Sequence, residues 1–178
     1  MSAKKYELVS LETGKKSTLD ALSGSVGPDC LNIASIGKDH GIFTFDPGFM
    51  ATASCESKIT YIDGDAGVLL YRGYPIEQIA AKSSFLEVSY LLIHGELPST
   101  RQLEQFDHAI RYHTMLNETL LRFFNGFHYD AHPMAMVSAV VSSMAAFYHD
   151  SMDNHNPRHR EIFAHRILAK IPTIAAAS

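Results

Sequence analysis

The spacing of apolar residues changes near Pro75. Upstream of it, short runs alternate apolar and polar positions. "KYELVSLETGKKSTLDAL" predicts two strands around a Thr13-Gly14 turn, and "KITYI" and "VLLYR" predict a hairpin closed by "DGDAG". Residues 23–56 between them are rich in turn residues and predict irregular chain, with Pro47 and Gly48 of "DPGF" suited to a type II turn. Downstream of Pro75 the apolar spacing becomes helical. "SSFLEVSYLLIHG" opens with a capping box of Ser84 and Glu87 and closes on Gly95; "PSTRQLEQFDHAIRYH" opens with Ser99 and Gln102. "PIEQIAAK" and "NETLLRFFNGF" predict shorter helices. "HPMAMVSAVVSSMAAFYHDSM" is apolar or small nearly all round and predicts a buried helix. The last helix takes Asn156 as N-cap and Pro157 as its first residue. It runs into "TIAAAS" without a glycine cap or polar tail, which reads either as a piece of a longer polypeptide or as a terminus docked in the core.

The expected fold is therefore mainly α, with a small β-rich N-terminal part. Residues 1–56 form the β and irregular segment, and residues 57–178 form the hairpin followed by helices. A length of 178 residues with 46% hydrophobic and 19% charged residues suits a globular domain and argues against disorder. A net charge of −4 with scattered basic residues argues against a nucleic-acid partner. Neither a signal-peptide h-region nor an apolar run of membrane-spanning length is present, so no membrane partner is expected. Two cysteines, Cys30 and Cys55, make no disulfide framework and fit a reducing cytoplasm.

The chemistry on offer is sparse. Asp63 and Asp65 fail as a calcium loop, because the fifth and twelfth positions are Gly67 and Tyr74; a hairpin turn explains them better. His128 and His132, and His155 and His159, have metal-ligand spacing, but Pro133 and Pro157 start helices beside or inside the pairs. No third ligand is indicated and no metal site is assigned. No nucleophile elbow, phosphate loop or dinucleotide fingerprint occurs. "FYHDSMDNHNPRHRE" concentrates His149, Asp150, Asp153, Arg158 and Arg160, which reads as an anion or partner contact at a helix start or as a solvated loop.

Several strings carry a family resemblance. "FTFDPGFMATASCESKITYIDGDAGVLLYRGYPIEQIA", "LLIHGELPS", "DAHPMA", "AAFYHDS" and "NPRHREIFAHRILAKIPTIAA" resemble bacterial citrate synthases of the hexameric, Gram-negative type. The resemblance runs along essentially the whole chain. It implies a multi-helical citrate synthase-like fold with a large and a small domain, residues 57–178 supplying helices of the large one. It also implies a cytoplasmic homo-oligomer, dimer-based and hexameric, that acts on small-molecule substrates. The implied reaction is an acyl transfer of the tricarboxylic acid cycle: acetyl-CoA condenses with oxaloacetate, and the thioester is hydrolysed to citrate and CoA. An aspartate base and two histidines serve that chemistry in the family. Their motifs are absent here and expected beyond residue 178, so no catalytic residue is assigned and this chain alone is expected to be inactive. 2-Methylcitrate synthase and a non-catalytic oligomerisation and NADH-sensing module are the alternatives.

The resemblance further implies an allosteric NADH site, NADH acting as inhibitor rather than cofactor. Its matching positions are His113, Thr114 and Met115 in "YHTM", Tyr148, Arg166 and Lys170. Arg166 and Lys170 lie four apart on one helix face, placed either to meet a pyrophosphate or to form an ordinary cationic surface. Some NADH-sensitive relatives have an arginine where this chain has Tyr112, and relatives often have two arginines where it has His128 and Tyr129.

Overall fold

The computed structural model describes residues 4–178. These form two compact units that divide between Ser83 and Ser84, so the hairpin lies in the first unit and the long helices in the second.

In the first unit, β1 (Lys5–Val9) and β2 (Lys16–Leu22) pair antiparallel, Lys5 opposite Asp20 and Val9 opposite Lys16. Gly14 takes φ 71° in the intervening turn. The short strand β3 (Cys30–Leu31) adds to the other edge of β2. β2 buries Ser17 and Leu19 and exposes Lys16, Thr18 and Asp20, the period-2 pattern of a half-buried strand. The buried Ser17 hydroxyl donates to Asp39 Oδ2 at 3.1 Å and lies 2.9 Å from His40 Nε2, both on the five-residue helix α1 (Ile36–His40). Residues 23–56 are thus mostly irregular, as their turn residues predict, apart from β3 and α1. Gly48 takes φ 83°, and the Phe49 amide donates to the Asp46 carbonyl at 3.3 Å, closing the expected turn. Cys30 and Cys55 are free thiols.

A second sheet holds β4 (Thr60–Asp63), β5 (Val68–Tyr71) and β6 (Tyr74–Pro75). The "DGDAG" turn joins β4 to β5, with Asp63 opposite Val68. Asp63 Oδ1 accepts the Ala66 amide at 2.9 Å, and the left-handed residue is Gly67 at φ 67°. Asp63 therefore shapes the turn through its side chain. The β5–β6 link had no strand signal of its own. Arg72 and Gly73 both take positive φ, 51° and 89°, the backbone of a tight two-residue hairpin. Helix α2 (Ile76–Lys82) follows with Pro75 at its N-cap.

The second unit is helical: α3 (Phe85–His94), α4 (Thr100–Tyr112), α5 (Glu118–Phe123), α6 (Pro133–Ser143) and α7 (Pro157–Ala177). The caps fall where their residues predict. Glu87 Oε2 accepts the Ser84 amide at 2.6 Å, while Ser84 Oγ accepts the Glu87 amide. Gln102 Oε1 accepts the Ser99 amide at 2.9 Å. Asn156 Oδ1 accepts the Arg158 amide at 3.0 Å ahead of Pro157.

Two apolar clusters share α7. Leu120, Val140, Met144 and Ile174 form one, with Phe124, Phe127 and Ile167 against it; Phe106, Ile110 and Ala169 form the other, with Leu86 and Tyr90. Phe106 meets Tyr90 and His165 edge-on, at centroid distances of 5.5 and 5.3 Å.

The predicted burial of α6 is corrected. Only Val140 is buried within it; Met134 is 63% exposed, and Pro133, Ala135 and Ser138 face water. Among the described residues, α5 and α7 pack against α6 in the helical unit, leaving the rest of its surface uncovered. No described helix is long and apolar enough to cross a membrane.

Leu120 and Leu121 give a paired test of the core. Leu120→Ala should lose about 2–5 kcal/mol in urea unfolding, because it opens a cavity in a fully buried position. Leu121→Ala, at a 42% exposed position, should lose less than about 1 kcal/mol.

Candidate functional site

The buried stripe of α7 reads Arg166, Ala169, Lys170 and Ile174. That spacing is one helical face, and such a face is ordinarily apolar. Two of its four members here are cations, so the surrounding chain must supply partners.

Lys170 finds them at the end of α4. Its ammonium donates to the carbonyls of His113, at 2.7 Å, and Met115, at 2.6 Å. His113 caps α4, so the charge also sits at the negative end of that helix. Arg166 finds a carboxylate. Its guanidinium grips Asp150 with both forks, Nη2 donating to Oδ2 at 2.8 Å and Nη1 to Oδ1, and Nη1 also donates to Ser151 Oγ at 3.0 Å. The Tyr148 ring centroid lies 4.6 Å from the Arg166 guanidinium carbon and 5.1 Å from Lys170 Nζ, bringing both cations to one aromatic ring. Arg166 Nε and His165 Nε2 are buried without partners among the described residues.

Charge and burial shift the titration of these groups. The hydrogen bond from Arg166 holds Asp150 down to about 2, and Asp150 in turn raises Arg166. Burial, then the Arg166 charge, lowers Lys170. Burial, then Arg166 and Lys170, lowers His113 and favours its neutral form.

The six predicted positions are not equivalent. Tyr148, Arg166 and Lys170 meet through their side chains, and His113 and Met115 join through backbone carbonyls. The Met115 side chain is 82% exposed. Thr114 folds its hydroxyl back onto the Arg111 carbonyl at 2.9 Å. Arg166 and Lys170 do not form an open cationic surface, because both are buried. Asp150 and Ser151 are the members that motif reasoning missed. Asp150 stood out only as part of a polar loop, and nothing in the sequence links it to Arg166 sixteen residues later. Beside this group lies a cavity of about 230 Å³ lined by Val141, Met144, Tyr148, Ser151, Met152 and Phe163.

Two other members of the polar loop bond within it: Arg160 Nη1 donates to the Asn154 carbonyl at 2.8 Å, and Asp153 Oδ1 accepts the His155 amide. Two of the four histidines with metal-like spacing serve the backbone. His132 Nδ1 accepts the Met134 amide at the start of α6, and His159 Nδ1 accepts the Asp153 amide, each at 3.2 Å. His128 pairs with Asp130. No group of three or more His, Cys, Asp or Glu among the described residues is placed to hold a metal ion. Tyr112 is exposed and meets His113 edge-on at 5.5 Å; His128 lies against Tyr129 in a separate loop.

Residues 48–178 match the family model described as "Citrate synthase, C-terminal domain". The solved citrate synthase of Thermotoga maritima MSB8 is 29% identical, covering 75% of this chain and 34% of its own, with a TM-score of 0.61. That of Pyrobaculum aerophilum is 27% identical, covering 88% and 37%, at 0.62. A ternary complex of Thermoplasma acidophilum citrate synthase with carboxymethyl coenzyme A and oxaloacetate is 23% identical, covering 74% and 35% at 0.64, and shares the fold. The chain spans about a third of the length of these relatives.

Lys170→Met should destabilise the helical unit by about 2–4 kcal/mol, since it strands two carbonyls. Amide exchange should accelerate across residues 113–117 and stay unchanged in β4 and β5. Asp150 makes a pH prediction. Its folded pKa is depressed, so its contribution is complete above the ordinary carboxylate range and lost as pH falls toward about 2. Urea stability between pH 4.5 and 2 should therefore fall less steeply in Asp150→Asn than in the parent.

Proposed function

Since the chain belongs to the citrate synthase family, we propose that it is the N-terminal portion of a hexameric, Gram-negative-type citrate synthase subunit whose cation pair receives NADH. The whole cytoplasmic enzyme condenses acetyl-CoA with oxaloacetate and hydrolyses the product thioester. A base takes a proton from the acetyl methyl, and fixed donors stabilise the enolate that forms. Those groups lie outside the 178 residues, and the role of this part is regulatory.

One observation carries the reading: Arg166 and Lys170 converge with the His113–Met115 backbone on the ring of Tyr148. Two cations suit a pyrophosphate bridge. The adjoining cavity of about 230 Å³ is small for a whole dinucleotide and suits one ring system. Tyr112 offers an exposed ring and hydroxyl where an arginine would offer charge.

Titration with NADH should show saturable binding that weakens roughly tenfold or more in Arg166→Gln and in Tyr148→Leu, from loss of a charge-assisted or stacking contact. Equal affinity in all three proteins would remove the site. Acetyl-CoA and oxaloacetate should give no CoA release with this chain alone, and turnover would place catalytic groups within it.

A further inference from the structure

Arg166 is buried, but its counter-ion is not. The Asp150 side chain is 60% exposed, while the Arg166 side chain it grips is 10% exposed. An anion coming from solvent toward Arg166 therefore meets a carboxylate first. That carboxylate already occupies both forks of the guanidinium, with Ser151 Oγ on the same nitrogen. Carboxylate and phosphoryl groups present the same two-oxygen edge to arginine, so the two compete for one position.

We propose that Asp150 is a built-in competitor that holds Arg166 until a multiply charged phosphoryl anion displaces it. The ligand class rests on the nucleotide reading above; the competition rests on the geometry alone.

Three features fit this role. Asp150 sits in a single 3-10 turn, His149–Ser151, whose backbone is tied back by a long 3.4 Å bond from the Ser151 amide to the Tyr148 carbonyl. The carboxylate can leave without unwinding a helix, and it leaves toward water it already faces. Among the described residues Arg166 Nε is a buried donor with no partner, which a third ligand oxygen would satisfy. Tyr148 stays against both cations when Asp150 departs, so the pair keeps its position. A singly charged carboxylate gains nothing over Asp150. A pyrophosphate brings more charge and more oxygens, so the device sets a charge threshold for the site.

The test is calorimetric titration with inorganic pyrophosphate, with acetate as the monoanion control. Asp150→Asn should bind pyrophosphate roughly tenfold tighter than the parent, because a like charge opposite the ligand is removed. Acetate should show no gain, and Arg166→Gln added to Asp150→Asn should abolish the gain. Should Asp150→Asn be too unstable to titrate, Asp150→Ser is used, and pyrophosphate should raise its melting temperature more than the parent's. Unchanged affinity and an unchanged melting shift in these variants would overturn the competition. NADH titrated into the same proteins separates the two readings. Tighter pyrophosphate binding without NADH binding would leave Asp150 as competitor and remove the nucleotide. NADH binding that depends on Arg166 and ignores Asp150 would do the reverse.

Discussion

Lys170 carries an ammonium group into the interior of the helical unit, and a buried charge without partners costs several kcal/mol. Much of the local architecture answers that demand. The C-terminal end of α4 is turned so that the carbonyls of His113 and Met115 point at one nitrogen. Those carbonyls belong to the last turn of α4 and the connector beyond it, groups that a helix end leaves unsatisfied. One cation thus completes a helix terminus and fixes the path of the chain into α5. Arg166, one turn earlier, makes the same demand and answers it with the turn that follows Tyr148.

The two apolar clusters place these cations. Ile174 lies in the cluster with Leu120, Val140 and Met144, while Ala169 lies with Phe106 and Ile110. A helix held on both sides cannot rotate to bring Arg166 and Lys170 into water without giving up one cluster. The charges are therefore buried by the packing of their neighbours, and their hydrogen bonds limit a cost already imposed. The two cations differ in how firmly they are held. Lys170 offers its charge from a position that two backbone carbonyls fix. Arg166 is committed to an exposed carboxylate, the more exchangeable of the two commitments.

Local order was legible because its causes are local. The capping pairs Ser84–Glu87 and Ser99–Gln102, the Asn156-Pro157 start and the "DGDAG" hairpin each lie within a few residues, and each formed where its residues indicate. Within that hairpin the positive φ falls on Gly67, while Asp63 acts through its side chain. The Arg72-Gly73 turn was missed because an arginine rarely adopts φ 51°, and the strand it creates is two residues long. Burial of α6 was misjudged for a different reason. An all-apolar helix says that something covers it, whereas these residues cover one side.

Within the site, the sequence determined which groups were available: two cations four apart on a helix, a tyrosine, and a His-Thr-Met run. The motif strings were also enough to indicate the family. Tertiary structure decided what those groups face. The partners of Lys170 lie more than fifty residues away and are carbonyls, which every residue has and no motif marks. Asp150 could have been one solvated acid among several, and only the fold sets it on the guanidinium of Arg166. A spacing along one helix fixes which side chains share a face, because helix geometry is local. What lies across from that face depends on how distant segments pack, and no local pattern encodes it.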